Sequence, residues 1–393
     1  IGDYSHAEGL YTRAIGESSH AEGINSISYN IASHVEGLQC TAGGDMAHAE
    51  GYRTGATGNC SHAEGRYTTA SGDDSHAEGY LTTASGPQSH AEGSGNMASG
   101  FASHAEGSNT LASGINSHSE GGLSQATGDY SHAEGFNTTA SGNQSHAEGS
   151  GSIALGAQSH AEGLNTQSNG DNSHAENDST IASGYASHAE GIGSTSGSTG
   201  SHAEGINTST LFGDTGGRGA HAGGIESIAF TAGQMARAAG GFTSPVSGSS
   251  GAIGAGTAQF SMYHLGMQSI TGVTGWFTTL NGNEQPYIPN NTIWTVTADV
   301  IGVQTAQVTP INFSSHKLHG CYSNINGIVT EQGQSPSIST LLPGTGTNLD
   351  SAGIPYLGVT GPVGQENAIT IQVLPSVDNT RWHGTMYVNS IAL

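Results

Sequence analysis

The stretch GDDSHAEGYLTTASGPQSHAEG, residues 72–93, contains Ser-His-Ala-Glu-Gly twice, with fourteen residues from one serine to the next. The same five residues, or a close variant, begin at positions 5, 19, 33, 47, 61, 75, 89, 103, 117, 131, 145, 159, 173, 187 and 201, so the period holds across fifteen copies. The variants are Val35 or Ser119 for the alanine, Ala47 for the serine and Asn177 for the glycine. A sixteenth copy, AHAGG from Ala220, follows after 19 residues instead of 14 and has Gly223 where the glutamate belongs. A period this strict marks a solenoid, whose units are too small to bury a face alone and stack on their neighbours.

Each fourteen divides into S-H-A-E-G-x-x and T-x-A-S-G-x-x, as in residues 75–81 and 82–88. Alternation followed by a glycine-containing turn reads as a short strand. A helix would carry a glycine every seven residues, at a cost of about 1 kcal/mol each. Glycine at these places suits a positive φ, and Asn30 and Asn177 fit because asparagine tolerates that region. The expected fold is all-β: a parallel β-roll with two short strands per coil, fifteen coils spanning about 70 Å at the usual strand spacing.

Period-two alternation puts the serine and first alanine of a coil on one face and the histidine and glutamate on the other. Thr68 and Ala70 and their equivalents share a face, and small residues on both sheets assign these four places to a thin interior. The place held by Arg13, Ile27, Gly55, Met97, Gln125 and Ile153 takes almost anything and reads as exposed. The histidine and glutamate places do not vary at all. They are His6 and Glu8, His20 and Glu22, His34 and Glu36, His48 and Glu50, His62 and Glu64, His76 and Glu78, His90 and Glu92, His104 and Glu106, His118 and Glu120, His132 and Glu134, His146 and Glu148, His160 and Glu162, His174 and Glu176, His188 and Glu190, and His202 and Glu204. Such uniformity points to a face that meets another copy of the chain.

The repeat resembles the heads of trimeric autotransporter adhesins, whose fourteen-residue coils read S-V-A-I-G. That resemblance implies left-handed parallel β-rolls assembled as homotrimers. Histidine and glutamate here stand where that motif has its two apolar residues. The expectation is a polar ladder in which the histidines approach a threefold axis and bond to glutamates between chains, because a buried carboxylate must find partners. If the fifteen repeat histidines were protonated, the formal charge of −24 would become −24 + 15 = −9. Acid below the glutamate range is then expected to weaken assembly. A surface ladder and a metal column on the same residues are the alternatives; no metal and no cofactor is expected. Fifteen equal sites do not suit acid–base catalysis, which needs one unusual environment, so no enzyme is expected.

Composition restricts the partners. Only 7 lysines and arginines, scattered along the sequence without a basic cluster, argue against nucleic acid. No apolar run is long enough to span a membrane. Cys40, Cys60 and Cys321 lack the number and spacing of a disulfide framework or zinc site. The first residues, IGDY, complete a coil that SHAEG then restarts, so the chain is expected to begin inside a longer protein.

After residue 207 the pattern loosens. The expected organisation is a rod over 1–207, a degenerate repeat and cap over 208–239, a Gly/Ser linker over 240–256 and an antiparallel β-sandwich over 257–393. Strands are expected from Ala258, Gly275, Thr292, His319, Ala368 and Arg381. This last segment, through LNG at 280–282, IPNNTIWTVTADVIGVQT at 288–305, ITIQV at 369–373 and TRWHGTMYVNSI at 380–391, resembles the C-terminal domain of fibre and tail proteins of tailed phages and large DNA viruses. The resemblance implies a fibre tip or trimerisation domain at a virion surface, or otherwise an extracellular location.

The functional expectation is a homotrimeric fibre that attaches to a host cell-surface receptor, with a glycan as the leading ligand and Tyr287, Trp294 and Tyr356 as the aromatic contacts. One alternative is a filament with no receptor. Another is a self-cleaving or glycan-degrading tailspike: the repeats also look like those preceding self-cleaving chaperone domains, and Ser314, Ser315 and Lys317 invite a Ser/Lys dyad. His264, His316, His319 and His383 read as scattered rather than as ligands.

Overall fold

The structure, a computed structural model, describes residues 2–210, 218–229, 232–241, 257–269, 275–276, 278–279, 292–304, 313–325, 328–340, 355–358, 370–373 and 380–392. It divides into two compact units, Ile1–Ser183 and Gly184–Leu393. Among the described residues every regular element is a strand, and the repeats form a parallel β-solenoid of about sixteen coils.

In the first unit the histidine-bearing strands, from His6–Leu10 onward, pair in parallel with the equivalent strand one coil later: His6 with His20, Glu8 with Glu22, His104 with His118. Strands such as Thr69–Ala70 and Thr83–Ala84 build a second parallel sheet by the same rule. The second unit has the same parallel pairing among His188–Ile192, His202–Ile206, His221–Ile225 and Met235–Gly241. The five extra residues before Ala220 leave register intact, since His202 still pairs with His221.

The interior is where alternation placed it. Ala77, Ala84, Ala91, Ala98, Ala105 and Ala112 are fully buried and belong to one cluster. Serine and threonine share this interior because they close the corners. Ser61 Oγ donates to the Gly58 carbonyl at 2.7 Å, and Thr82 Oγ1 to the Glu78 carbonyl at 3.0 Å. Buried Cys40 takes the same role, its thiol donating to the Gly51 carbonyl at 3.2 Å. A buried hydroxyl with such a partner avoids the cost of an unmade bond.

The two glycines of a coil serve different ends, which corrects the reading given to Asn30. The glycine after the glutamate has φ near +100°, for example +98° at Gly107, and Asn177 keeps a positive φ of 77° there. The second glycine has no positive φ, nor does Asn30. Glycine is favoured there because a Cβ on Gly100 would strike the Gly114 carbonyl one coil on. The other left-handed positions are the corner residues just before each half-coil, such as Asn109 (φ 56°) and Asn116 (φ 52°). Half of this signal is visible in sequence: Asn25, Gly95, Asn109, Asn137, Gly151, Asn165, Gly193 and Asn207 all occupy the first of these corners.

In the second unit the solenoid sheet runs into long antiparallel strands. Met235–Gly241 pairs with Thr257–Ser269, which pairs with Thr380–Ala392. Thr380–Ala392 pairs in turn with Thr292–Gln304, which is followed by Phe313–Ile325 and Ile328–Thr340. Gly275–Trp276, Thr370–Val373 and Pro355–Gly358 form a separate small sheet. Ile328–Thr340 and Pro355–Gly358 were not expected from the sequence. Trp294, Val296, Ala298 and Val300 alternate into a core with Leu318, Tyr322, Met386 and Val388. Of the expected linker, residues 242–256 lie outside the described residues.

A stacked solenoid exposes an unpaired strand edge where the coils end. Here Ile228–Ala229 is the last strand of its sheet, and the side chain of Gln259 supplies the next rung. Gln259 Oε1 accepts from the Ile228 N–H and Gln259 Nε2 donates to the Ile228 carbonyl, both at 2.8 Å. Nε2 also reaches Ser261 Oγ at 2.9 Å, and Gln234 Nε2 donates to the same hydroxyl at 3.1 Å. Replacing Gln259 by leucine leaves both Ile228 groups without that partner; the expected loss is about 1–3 kcal/mol, with faster amide exchange at Ile228. Unchanged exchange would show that water serves that edge equally well.

Candidate functional site

The stacking that builds the solenoid lines up the histidines and glutamates in two columns on one face. From His62 to His174 successive imidazoles lie 4.8 Å apart, and from His76 to His160 their planes are within 4° of parallel. The first rings are less ordered, with 87° between His6 and His20 and 61° between His20 and His34. Side chains in the ladder are about a third exposed, 35% for His104 and 33% for Glu92. The carboxylates border an open groove along Glu120, Glu134, Glu148 and Glu162.

Pairing within the ladder changes along the first unit. His20, His48 and His62 lie nearest the glutamate of their own coil, with Nε2 at 3.6, 3.5 and 3.8 Å. From His90 on, Nε2 turns to the glutamate of the preceding coil: 3.6 Å for His104 to Glu92 and 3.2 Å for His118 to Glu106. The last of these has hydrogen-bond geometry. Nε2 of His62, His76, His90, His104 and His132 is shielded from water and has no hydrogen-bond partner among the described residues. Each therefore retains bonding capacity that its own chain does not use.

These columns do not favour the ionised pairs expected from the sequence. Burial, reinforced by the neighbouring histidines, lowers the pKa of His76, His132 and His160. Hydrogen bonds between carboxyl groups of successive coils raise Glu78, Glu120 and Glu148 to about 7, while Glu64, beside Glu78, and Glu134, between Glu120 and Glu148, are lowered by the same contacts. The pattern is a column of carboxyls sharing protons, beside histidines several of which, His76, His132 and His160 among them, have their charged form disfavoured.

The pH dependence follows. A raised glutamate contributes stability that is complete below its unfolded value near 4.5 and lost as pH rises through about 7. A lowered histidine contributes stability present above 6.5 and lost as pH falls through its folded value. The melting temperature is therefore expected to rise from pH 8.5 to about 6 and to fall again in stronger acid. Exposure moderates each contribution, and repetition over many coils makes the sum measurable. A maximum at pH 8 or above would mean that the glutamates are not raised.

The glutamate column ends in an ion pair. Gly223 occupies the glutamate place of its coil, and Arg237 that of the following coil. Across the gap Arg237 Nη2 donates to Glu204 Oε1 at 3.0 Å, and His221 Nε2 lies 3.2 Å from the same oxygen. The Arg237 bond, first among the causes, lowers the Glu204 pKa. A Cβ at position 223 would lie 2.8 Å from that carboxylate oxygen. What the sequence shows as a decayed repeat is thus the place where a cation closes a row of acids.

The other expected contacts are dispersed. Trp294 is only 2% exposed, in the core, which corrects its assignment to receptor binding: its indole has no surface to offer a sugar. Tyr287 lies outside the described residues. Tyr356 sits in strand Pro355–Gly358. Lys317 faces Asp299 across paired strands, Nζ to Oδ1 at 3.7 Å. Nδ1 of His319 lies 3.1 Å from Thr297 Oγ1. Cys40, Cys60 and Cys321 are free thiols.

Several groups of this ladder, His104, Glu106 and His118 among them, offer ligand atoms within 4.8 Å of one another. Parallel imidazoles stacked at 4.8 Å point their Nε2 lone pairs alongside one another rather than toward a common centre. A search of curated proteins found no match. A model of the YadA head domain repeat matches the chain twice, at residues 7–28 and 133–159. With the parallel coils, these matches show that the chain carries β-roll repeats of the head type.

Proposed function

We propose that the chain is part of an extracellular homotrimeric fibre, displayed on a virion or cell surface, whose solenoid carries the C-terminal region toward a host cell for attachment. The observation that carries this reading is the face of aligned histidines and glutamates. It occupies the places that are apolar in head repeats, and its side chains stay about a third exposed on the single chain, a continuous face for a second chain to cover. Three such faces meeting at an axis would bury those side chains against one another. Shared protons between carboxyls suit such an interface, because a neutral or singly charged column is far less costly to bury than a row of full charges. The ladder on this reading is structural, neither catalytic nor metal-dependent, and residues 257–393 form the attachment region.

Equilibrium sedimentation of the intact chain tests the assembly. The expected mass is three times 39.5 kDa, unchanged by EDTA. Replacing His90, His104 and His118 by alanine together is expected to shift the population toward monomer while the β-sheet circular dichroism is retained. A monomeric wild-type chain would overturn the trimer, and a trimer lost in EDTA would assign the ladder to a metal. Attachment is tested by binding of labelled protein to cells; a trimer that binds none would leave the filament reading.

A further inference from the structure

The strongest feature outside the ladder is a patch of tyrosine and arginine on one edge of the first unit. In sequence Arg53 and Arg66 are thirteen residues apart and look unrelated. A coil is fourteen residues long, so the corner residue of one coil and the residue before the corner in the next become neighbours. Tyr52, Arg53, Arg66, Tyr67 and Tyr80 thereby converge from three successive coils.

Each guanidinium lies against aromatic rings. Arg53 is 5.4 Å from the Tyr52 ring centroid and 5.7 Å from that of Tyr67. Arg66 is 5.7, 5.1 and 5.6 Å from the rings of Tyr52, Tyr67 and Tyr80. The rings meet edge to face, Tyr52 to Tyr67 at 5.3 Å and Tyr67 to Tyr80 at 6.2 Å. Arg53 Nε donates to Gln39 Oε1 at 2.7 Å, which fixes that side chain further. Arg53, Arg66 and Tyr80 are exposed. Among the described residues no carboxylate forms an ion pair with either arginine, in a chain of net charge −24.

A guanidinium held over a ring uses its face in that contact and keeps N–H donors at its edge for an oxygen ligand. Tyrosine rings offer the apolar faces on which sugar C–H groups pack, and a phenol for a ring hydroxyl. Arg53 and Tyr67 both adopt positive φ, 54° and 61°, at a corner where asparagine and glycine are common. Positive φ recurs at this corner in coil after coil, at Tyr11, Leu81 and Leu123 for example, and what distinguishes Arg53 and Tyr67 is that their side chains pack against one another.

The geometry points to a binding site for an acidic carbohydrate on this edge, with Arg53 and Arg66 taking the anionic group and Tyr52, Tyr67 and Tyr80 the sugar faces. This moves the glycan contact of the proposed attachment function from the C-terminal region to the solenoid, and its biological use rests on that reading. Charge selects the occupant: a neutral sugar would leave two unpaired guanidinium groups idle, and the two cations are too few for a nucleic acid backbone.

The test is calorimetric titration of the full chain with tetragalacturonate, a sialylated oligosaccharide, neutral galactotetraose and inorganic sulfate. At least one acidic sugar is expected to bind about tenfold or more tightly than the neutral one and than sulfate, and to weaken as salt is raised. The double variant R53Q/R66Q is expected to lose about tenfold or more of that affinity, and Y67A a smaller share, with melting temperature and assembled mass unchanged. Equal binding of neutral and acidic sugars, no binding of either acidic sugar, sulfate binding as tightly as the sugars, or an unaffected double variant would each overturn the site. Cell attachment separates the two readings. If R53Q/R66Q attaches as wild type does, the patch is not the attachment contact and adhesion stands on the C-terminal region; if wild type binds acidic sugar but no cell, adhesion is wrong and the patch stands.

Discussion

Gly107→Ala is expected to break the solenoid at its middle coils. The backbone there has φ +98°, beyond the left-handed region that asparagine visits, and a Cβ would strike the Gly121 carbonyl in the next coil. Conformation alone costs about 1–3 kcal/mol. Relieving the collision means separating two coils that Ser108 N–H to the Gly121 carbonyl, at 2.8 Å, holds together. We expect a total loss above about 3 kcal/mol and a melting curve that splits into two steps, because nearest-neighbour stacks unzip from a weak junction. Asn177 provides the internal comparison: at the same place its φ is 77°. Gly107→Asn should therefore cost less than Gly107→Ala, although asparagine is the larger residue. An alanine variant melting with wild type would show that the coils have slack along the stack.

Overpacking the interior gives the second large effect. Ala105 is fully buried in the cluster that includes Ala98 and Ala112 on the opposite sheet, so the gap between sheets is set by methyl groups. Leucine adds three carbons where rigid backbones on both sides leave no room; the expected cost is about 1–3 kcal/mol or more. Val35 occupies the equivalent place with no exposure, so Ala105→Val should be milder. The control is Gln125→Ile on the outer surface, expected within about 0.5 kcal/mol of wild type in urea denaturation. A leucine variant as stable as that control would mean that the sheets can separate locally.

Much of the solenoid was legible because two periods, two and fourteen, act on one short word. Alternation assigned Ser75, Ala77, Thr82 and Ala84 to the interior and His76 and Glu78 to the opposite face, and all four interior residues are buried. Contacts made across coils were harder to read. The corner at Leu81 has φ 56° although leucine gives no hint of it, because the stack imposes the turn on whatever residue stands there. Gly100 looks like a turn glycine, yet its role is close approach to Gly114. Neither Arg237 nor Gln259 belongs to a motif; each acts by reaching a neighbour far off in sequence, Glu204 and Ile228. The titration of the ladder within one chain was hard to read for a related reason. Pairing histidine with glutamate considers one coil, whereas carboxyl groups stacked one strand spacing apart act first on each other.

The closing devices at Arg237 and Gln259 sit after the regular repeats and touch only the nearest coils, so coils elsewhere in the stack can be added or removed without disturbing them. A coil of fourteen residues is encoded by 14 × 3 = 42 bases. Unequal exchange between two such stretches of a gene inserts or deletes whole coils in frame, with every hydrogen bond of the remaining stack restored at the new junction. Each event changes the stack by one strand spacing, about 4.8 Å, without disturbing its terminus. Reach is then a quantity that a lineage can adjust in fixed steps, while the residues that finish the fold are inherited unchanged.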